Sequence, residues 1–378
     1  MDRADLIVAG SGPAGSAAAL VAARAGLSVL IVDRSVFPRD KLCGGGISGR
    51  AIRHLGRLPM APLPETLFRT CDRVLFSDAG RRLGEVADAP PFRMTMRRDF
   101  DAALHAAALG AGARAMTGVA IRAAAEDGAL TLADGRALSA PLVIAADGCN
   151  SAVARALFGR AFDPERVGFG LEIEAPDGPQ VMEIDLSAAA WGYGWTFPKR
   201  DGVTLGVGGL ARCNADMKRR LAAFLSARGI DPDRHRCKGA FLPFGEVRRD
   251  PGRGRVLLAG DAAGLVDPVT GEGIAWALES GRLAAEAAIS ALRAGRPEVA
   301  LPDYRRALAP VQAEIERARR LRSLVYAGPL RGRFLSMLAA RPRLQRAYLA
   351  LVAGERDYAD IGAASMLRMG ARLAGLAR

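Results

Sequence analysis

Lysine is scarce in this 378-residue chain: of 53 basic side chains only Lys41, Lys199, Lys218 and Lys238 are lysines, and arginine supplies the rest. Histidine is scarcer still, with His54, His105 and His235 far apart. That spacing offers no ligand set for a metal and no base beside a candidate serine nucleophile, so no metal site and no catalytic triad are expected. The five cysteines, Cys43, Cys71, Cys149, Cys213 and Cys237, form no CxxC or CxxxxC pair. An odd, dispersed set suits reduced thiols in the cytosol. No apolar run reaches the ~20 residues a membrane span needs. The first strand is expected by Leu6, which leaves no room for a signal peptide. The expectation is a cytoplasmic protein, soluble or peripheral at the inner face of the membrane.

Half the residues are hydrophobic, and at ~150 residues per domain the length suggests two or three domains. The net charge is +13, unevenly spread: from residue 291 onward 17 Arg stand against 7 Asp and Glu, a net of +10. Such a tail could meet anionic lipid, an acidic protein or nucleic acid. No helix-turn-helix, zinc finger or aromatic-studded RNA motif accompanies it, so nucleic acid is not an expected partner. Val311, Ile315, Leu321, Leu324 and Val325 are interspersed with arginines, and 331–351 repeats the mixture. This pattern suits helices lying on an anionic bilayer, or a solvated helical surface.

The N-terminus carries the clearest chemistry. Asp5 to Ala9 reads as a short buried strand of a parallel sheet, followed by Gly10-Ser-Gly12-Pro13-Ala14-Gly15 and an alanine-rich helix to about Arg24. Ser28 to Val32 forms the next strand and ends at Asp33, with Arg34 after it. Gly10 permits a tight turn, Gly12 lets backbone approach a pyrophosphate, and Gly15 lets helix pack on strand. The helix N-terminus offers N–H groups and a positive dipole end to phosphate. Asp33 lies 18 residues after Gly15, where a carboxylate can accept from both ribose hydroxyls of an adenosine. One unit containing strand, glycines, helix, strand and acid identifies a dinucleotide site.

Two further strand–turn–helix units follow. Leu142 to Ala146 leads into Asp147-Gly148, and Val256 to Ala259 leads into Gly260-Asp261, then Gly271-Glu-Gly273 and a helix from Ile274 to about Leu292. Each places an acid at the carboxyl edge of the sheet, where ligands of open α/β sheets bind.

With GSGPAG, Arg97 in RRDFD, ADG at 146–148 and AGDAAG…DPVTGEG at 259–273, the sequence resembles flavoproteins of the para-hydroxybenzoate hydroxylase architecture over about residues 1–290. The resemblance implies FAD. The first glycines and Asp33 would bind its ADP half, and Asp261 the ribityl chain. Arg97 would lie near the phosphate and ribose, with Asp147 and Gly148 at the pyrophosphate side. No second GxGxxG is present for NADPH, which such proteins bind transiently; NADPH or another reductant is expected as electron donor.

Two segments narrow the resemblance. Lys41-Leu-Cys43-Gly44-Gly45-Gly46 and Trp191-Gly-Tyr193-Gly-Trp195-Thr-Phe197-Pro198 resemble the K-x-C-G-G loop and YxWxFP segment of the geranylgeranyl reductase family, which saturates isolated double bonds in prenyl chains. This resemblance puts Cys43, Gly44 and Gly45 beside the flavin as catalytic candidates. It makes Trp191, Tyr193, Trp195, Phe197 and Pro198 the wall for a lipophilic prenyl substrate. Alternation also favours an aromatic wall, because Trp191, Tyr193 and Trp195 would share one face of a strand. A flavin monooxygenase is the alternative, with a flavin halogenase or an electron carrier behind it. The expected fold is α/β. An FAD-binding domain with a parallel sheet is assembled from 1–70, 99–160 and 248–292. An antiparallel substrate domain comprises 71–98 and 161–247, and helices occupy 293–378.

Overall fold

The computed structural model describes residues 4–362. Four apolar strands, Leu6–Ala9, Val29–Asp33, Leu142–Ala145 and Val256–Leu258, lie side by side in parallel, with Arg114–Thr117 beyond the second. The short Gly252–Arg253 closes the other edge in antiparallel fashion. The side chains of Leu6–Ala9 and Leu142–Ala145 are buried throughout, as strands covered on both faces require. The covering helices include Pro13–Arg24 and Ile274–Arg293. These two helices pack closely because Gly281 has no side chain; a Cβ there would run into the Ala14 carbonyl.

A second sheet has the order Lys238–Leu242, Gly168–Ala175, Gly202–Leu210, Gly192–Lys199, Met182–Asp185, Val74–Asp78, Arg81–Val86. All neighbours run antiparallel except Met182–Asp185 and Val74–Asp78, which are parallel. Those two strands come from distant stretches of chain, so no hairpin dictates their relative direction. A small sheet of Gly46–Ile47, Phe92–Met94 and Arg69–Cys71 sits beside the loop at residues 41–45.

The tail forms three helices, Ala300–Tyr326, Gly328–Ala340 and Pro342–Val352. Its apolar stripe turns inward, which corrects the bilayer-facing expectation. Val311 and Ile315 join the core of the parallel sheet, and Leu321 and Val325 join a second core with Phe334, Leu338 and Leu349. The reason is local. The outer strands of the second sheet present Val74, Phe76, Met182 and Ile184, and the tail helices cover them. Leu324's side chain and residues 363–378, including Arg368, Arg372 and Arg378, lie outside the described residues. Among the described residues no helix is long and apolar enough to cross a membrane.

Candidate functional site

One cavity of about 680 Å³ runs from the carboxyl edge of the parallel sheet to the face of the second sheet. At its first end the three glycines have distinct packing. At Gly10, with φ at +93°, a side chain would strike the Ala146 carbonyl. At Gly15 it would strike the Gly10 carbonyl and come 3.3 Å from Val8 Cγ1. Of the three only Gly12 has room for a Cβ without a clash, with Arg39 Nη2 nearest at 3.6 Å. The turn leaves one approach for a ligand, over Gly12 and the helix that Pro13 opens.

Asp33 is buried and lines the cavity; its Oδ2 accepts from Ser11 N at 2.7 Å and its Oδ1 from Ser35 N at 2.8 Å. Each carboxylate oxygen has further lone pairs, so the acid is oriented rather than saturated. His105, which belongs to no metal site or triad, has a defined post. Its Nδ1 lies 2.6 Å from Ser11 Oγ, and its ring stacks on Phe37 with centroids 4.4 Å apart. Burial pulls its pKa below the usual imidazole value, although Asp33 opposes this.

Arg97 opens the helix Arg97–Gly110 and binds Asp101 through Nε and Nη2, both at 2.8 Å. Burial works against its charge, but the Asp101 carboxylate and the neighbouring Cys43 hold it firmly protonated. Arg39 donates Nη2 to the same aspartate at 2.8 Å, while its Nη1, on the cavity side chain, is buried without a hydrogen-bond partner. Such a donor calls for an acceptor from a ligand.

Asp147 lines the cavity, but its Oδ2 is taken up in capping the helix Ala152–Phe158 through Val153 N at 3.3 Å. Asp261 also lines the cavity, and no side-chain hydrogen bond ties its carboxylate to another described residue. Gly273 precedes the helix at Ile274, and Glu272 Oε1 accepts from Ala275 N at 3.0 Å to cap it. Arg34, Gly148, Gly260, Gly271 and Ile274 contribute to the same wall; Gly15 packs behind it. Asp33, then Gly12 with the unpartnered Arg39 nitrogen, then Asp261 offer partners that fit an adenosine, a diphosphate and a polyol chain in that order, the set FAD needs.

At the second end Tyr193, Trp195 and Phe197 line the cavity from alternate positions of Gly192–Lys199. Trp191 and Pro198 do not, which corrects their assignment as wall residues. Trp191 has φ at +53°, precedes the strand and stacks under the Arg322 guanidinium at 5.4 Å. Pro198 is turned away by the same alternation that aims Phe197 inward. The loop of Cys43, Gly44 and Gly45 lies directly on the aromatic wall: a Cβ on Gly44 would come 2.7 Å from Phe197 Cδ2 and 3.1 Å from Trp195 Cδ1. Gly45 adopts φ at +67°, and its N–H points at Cys43 Sγ at 3.4 Å.

Sequence reasoning missed two buried charges holding this loop. Glu172 accepts the Cys43 N–H at 2.8 Å, and Lys199 Nζ donates to the Gly44 carbonyl. The available signals were a glutamate within an otherwise apolar strand and a lysine in a lysine-poor chain. Also missed was the bracing of the loop at 267–271. Tyr193 Oη donates to the Thr270 carbonyl at 2.7 Å, Tyr326 Oη to the Val269 carbonyl at 2.9 Å and Tyr358 Oη to Asp267 Oδ1 at 3.1 Å.

The chain is 35% identical over 313 residues to the menaquinone reductase of Mycolicibacterium smegmatis, covering 75% of this chain and 76% of that one. It is 32% identical over 310 residues to the geranylgeranyl diphosphate reductase of Rhodobacter capsulatus, covering 78% and 77%. Its fold matches that of a geranylgeranyl bacteriochlorophyll reductase-like protein from Thermoplasma acidophilum, with a TM-score of 0.75, 22% identity and coverage of 98% and 96%. Residues 5–328 match the family described as lycopene cyclase protein, and the chain belongs to that family as an FAD-dependent oxidoreductase.

Proposed function

We propose that this enzyme saturates isolated double bonds in the prenyl chain of a lipophilic substrate, with NADPH or another reductant as electron donor. The carrying observation is that the Cys43–Gly45 loop and the Tyr193–Trp195–Phe197 wall touch each other inside the cavity that also holds the dinucleotide cradle. The menaquinone and geranylgeranyl diphosphate reductases among its relatives support the reading.

FAD, once bound and reduced, supplies hydride; the protein must bind, align and protonate. The roles assigned are as follows. Gly10, Gly12 and the helix from Pro13 take the diphosphate, with Arg39 and Arg97 as its cationic partners. Asp33 takes the adenosine ribose and Asp261 the polyol chain. The aromatic wall binds the isoprenoid through area and shape, because such a chain offers no polar handle. Gly44 and Gly45 let the backbone approach a flat ring, and Cys43 places a proton near it. In this reading 1–70, 99–160 and 248–292 form the FAD domain, and 71–98 and 161–247 the substrate domain.

The test is anaerobic. Dithionite-reduced enzyme mixed with geranylgeranyl lipids and menaquinones should yield products with two added hydrogens per bond, read by mass spectrometry. If every prenyl chain stays unsaturated while an aromatic compound gains oxygen in air, the enzyme is a monooxygenase.

A further inference from the structure

One wall of the cavity is finished by a segment with no part in the scheme above. Phe92, Met182 and Val352 line it beside Tyr193 and Phe197. Phe92 belongs to the small sheet, Met182 opens an outer strand of the second sheet, and Val352 ends the tail helix Pro342–Val352. Phe92 and Met182 are buried in the second core, and the half-buried Val352 packs on that core with Tyr193 and Phe197. The contrast lies across the second sheet. Strand Lys238–Leu242 is a sheet edge four strand spacings from Met182–Asp185, about 19 Å. Phe241 in that edge strand is 38% exposed, Arg236 just before it is exposed, and both line the same cavity. The strand of Tyr193, Trp195 and Phe197 lies between these two ends, and the Gly44 loop touches it. Between it and the open edge, Gly208 and Gly170 follow each other across the strands opposite Tyr193, and the Trp195 indole spreads over both.

Val352 is held in place by the segment that follows the Cys43–Gly46 loop. The Ala353 carbonyl accepts from Arg50 N at 3.1 Å, and Arg53 donates to the Gly354 carbonyl. Arg50 Nη2 reaches the Arg356 carbonyl at 3.2 Å and Asp357 Oδ1 at 2.7 Å, and its guanidinium stacks on Trp276 at 4.6 Å. Gly354 has φ at +71°, and a Cβ there would lie 2.4 Å from Arg50 Cβ. Arg50 and Arg53 belong to the helix Gly49–Leu55, which starts soon after Gly46, itself a cavity residue. One turn before Val352, Tyr348 packs edge-on against Phe76 with ring centroids 5.7 Å apart. The end of the tail helix is tied both to the loop side and to the second core, so its last side chain is a fixed part of the wall.

We propose that Val352 is the stop of the hydrocarbon chamber: it sets how far an isoprenoid chain runs past the Cys43–Gly45 loop, and so which of its double bonds can be reduced. The inference rests on the double-bond reduction proposed above. The stop is apolar and backed by core, so the hydrocarbon end of the substrate occupies it. A polar headgroup placed there would lose its water without gaining a partner, and it stays toward the exposed edge strand. A double bond at the terminal end of the chain needs little room beyond the loop. A bond next to the headgroup needs room for every isoprene unit that follows it. The side chain at the stop therefore weighs most on the bonds nearest the headgroup. Its effect is one of volume alone, because a well-packed apolar wall gives little when a larger group is forced against it.

The experiment uses the FAD-loaded protein with geraniol, farnesol and geranylgeraniol, binding being read from the change in flavin absorbance. Val352→Trp should lower the affinity for geranylgeraniol relative to geraniol by about 10- to 200-fold, the discrimination an apolar pocket achieves over small differences in size. Val352→Ala should shift the preference the other way, toward the longer chain. In the anaerobic assay with dithionite-reduced protein and geranylgeranyl lipids, fragment masses locate the added hydrogens. Val352→Trp should lose saturation at the bonds nearest the headgroup first, and Val352→Ala should gain it there. Should Val352→Trp fail to fold or to hold FAD, the opposite shift in Val352→Ala carries the test. An unchanged length preference and bond pattern in the folded variants overturns the inference even where prenyl reduction is confirmed. A changed length preference with no double bond reduced supports the stop and sinks the reduction reading. No absorbance change with any of the three alcohols, in the unmodified protein or the variants, overturns the stop as well.

Discussion

The two large sheets carry their charged side chains in different places. The parallel sheet is apolar through its middle, and its carboxylates Asp33, Asp147 and Asp261 sit only at the edge or just beyond it. At that edge Gly10 and Gly15 set the clearances by their missing side chains. The second sheet buries charge within its strands: Glu172, Glu183, Asp185 and Lys199 are all inside. A dinucleotide brings its own charges and hydroxyls, so its site can be mostly backbone. A hydrocarbon chain, the substrate proposed here, brings none, so its site relies on apolar area and shape.

The comparison can be broken first at Arg228. Its guanidinium binds Glu183 at 2.5 and 2.7 Å and Asp185 at 3.1 Å, and stacks on Phe224 at 3.5 Å. Arg228→Ala would leave two buried carboxylates without a cation and should destabilise the fold by about 3–5 kcal/mol. Thermal unfolding measures this; an unchanged midpoint would mean that the buried charges of this sheet are not coupled.

A smaller effect is expected on the other side. Asp33→Ala or Asp261→Ala should weaken FAD binding by about 1–3 kcal/mol, through unpaired cofactor hydroxyls, with little change in folding. Flavin fluorescence titration decides it, and full FAD retention by both variants would remove these acids from the site. The smallest effect is expected at the seam. Tyr358→Phe removes one hydrogen bond to Asp267 and should cost about 1 kcal/mol in a denaturant titration. No shift at all would mean that Asp267 is held by Val269 N and Thr270 N alone.

The same contrast explains what was legible in the sequence. Gly10, Gly12, Gly15 and Asp33 act within one local strand–helix–strand unit, so their spacing carries their geometry. The helix Pro13–Arg24 and the strands at 142–145 and 256–258 are local for the same reason: apolar runs stopped by glycine and aspartate. Tyr193 and Trp195 share one face as alternation expects, and Phe197, named only through the family resemblance, continues it; the alternation failed at Trp191, where a positive φ breaks it. Glu172 and Lys199 were not legible, because their partners Cys43 and Gly44 lie 129 and 155 residues away. The tail misled for a related reason. An amphipathic helix reveals that it has an apolar stripe but not what covers it, and here the cover was the outer strands of the second sheet.

The tyrosine bracing has a consequence for the order in which the site can be completed. Tyr326 and Tyr358 reach back to Val269 and Asp267 from beyond residue 300, with Tyr348 buried among them. A chain still emerging from the ribosome at residue 292 already holds every glycine and acid assigned to the cofactor. It has yet to make two of the three hydroxyls that brace the turn ahead of Gly271, since only Tyr193 precedes that point. The residues assigned to the cofactor are therefore complete before the turn beside them is fully braced, and that bracing waits for the last helices to be made.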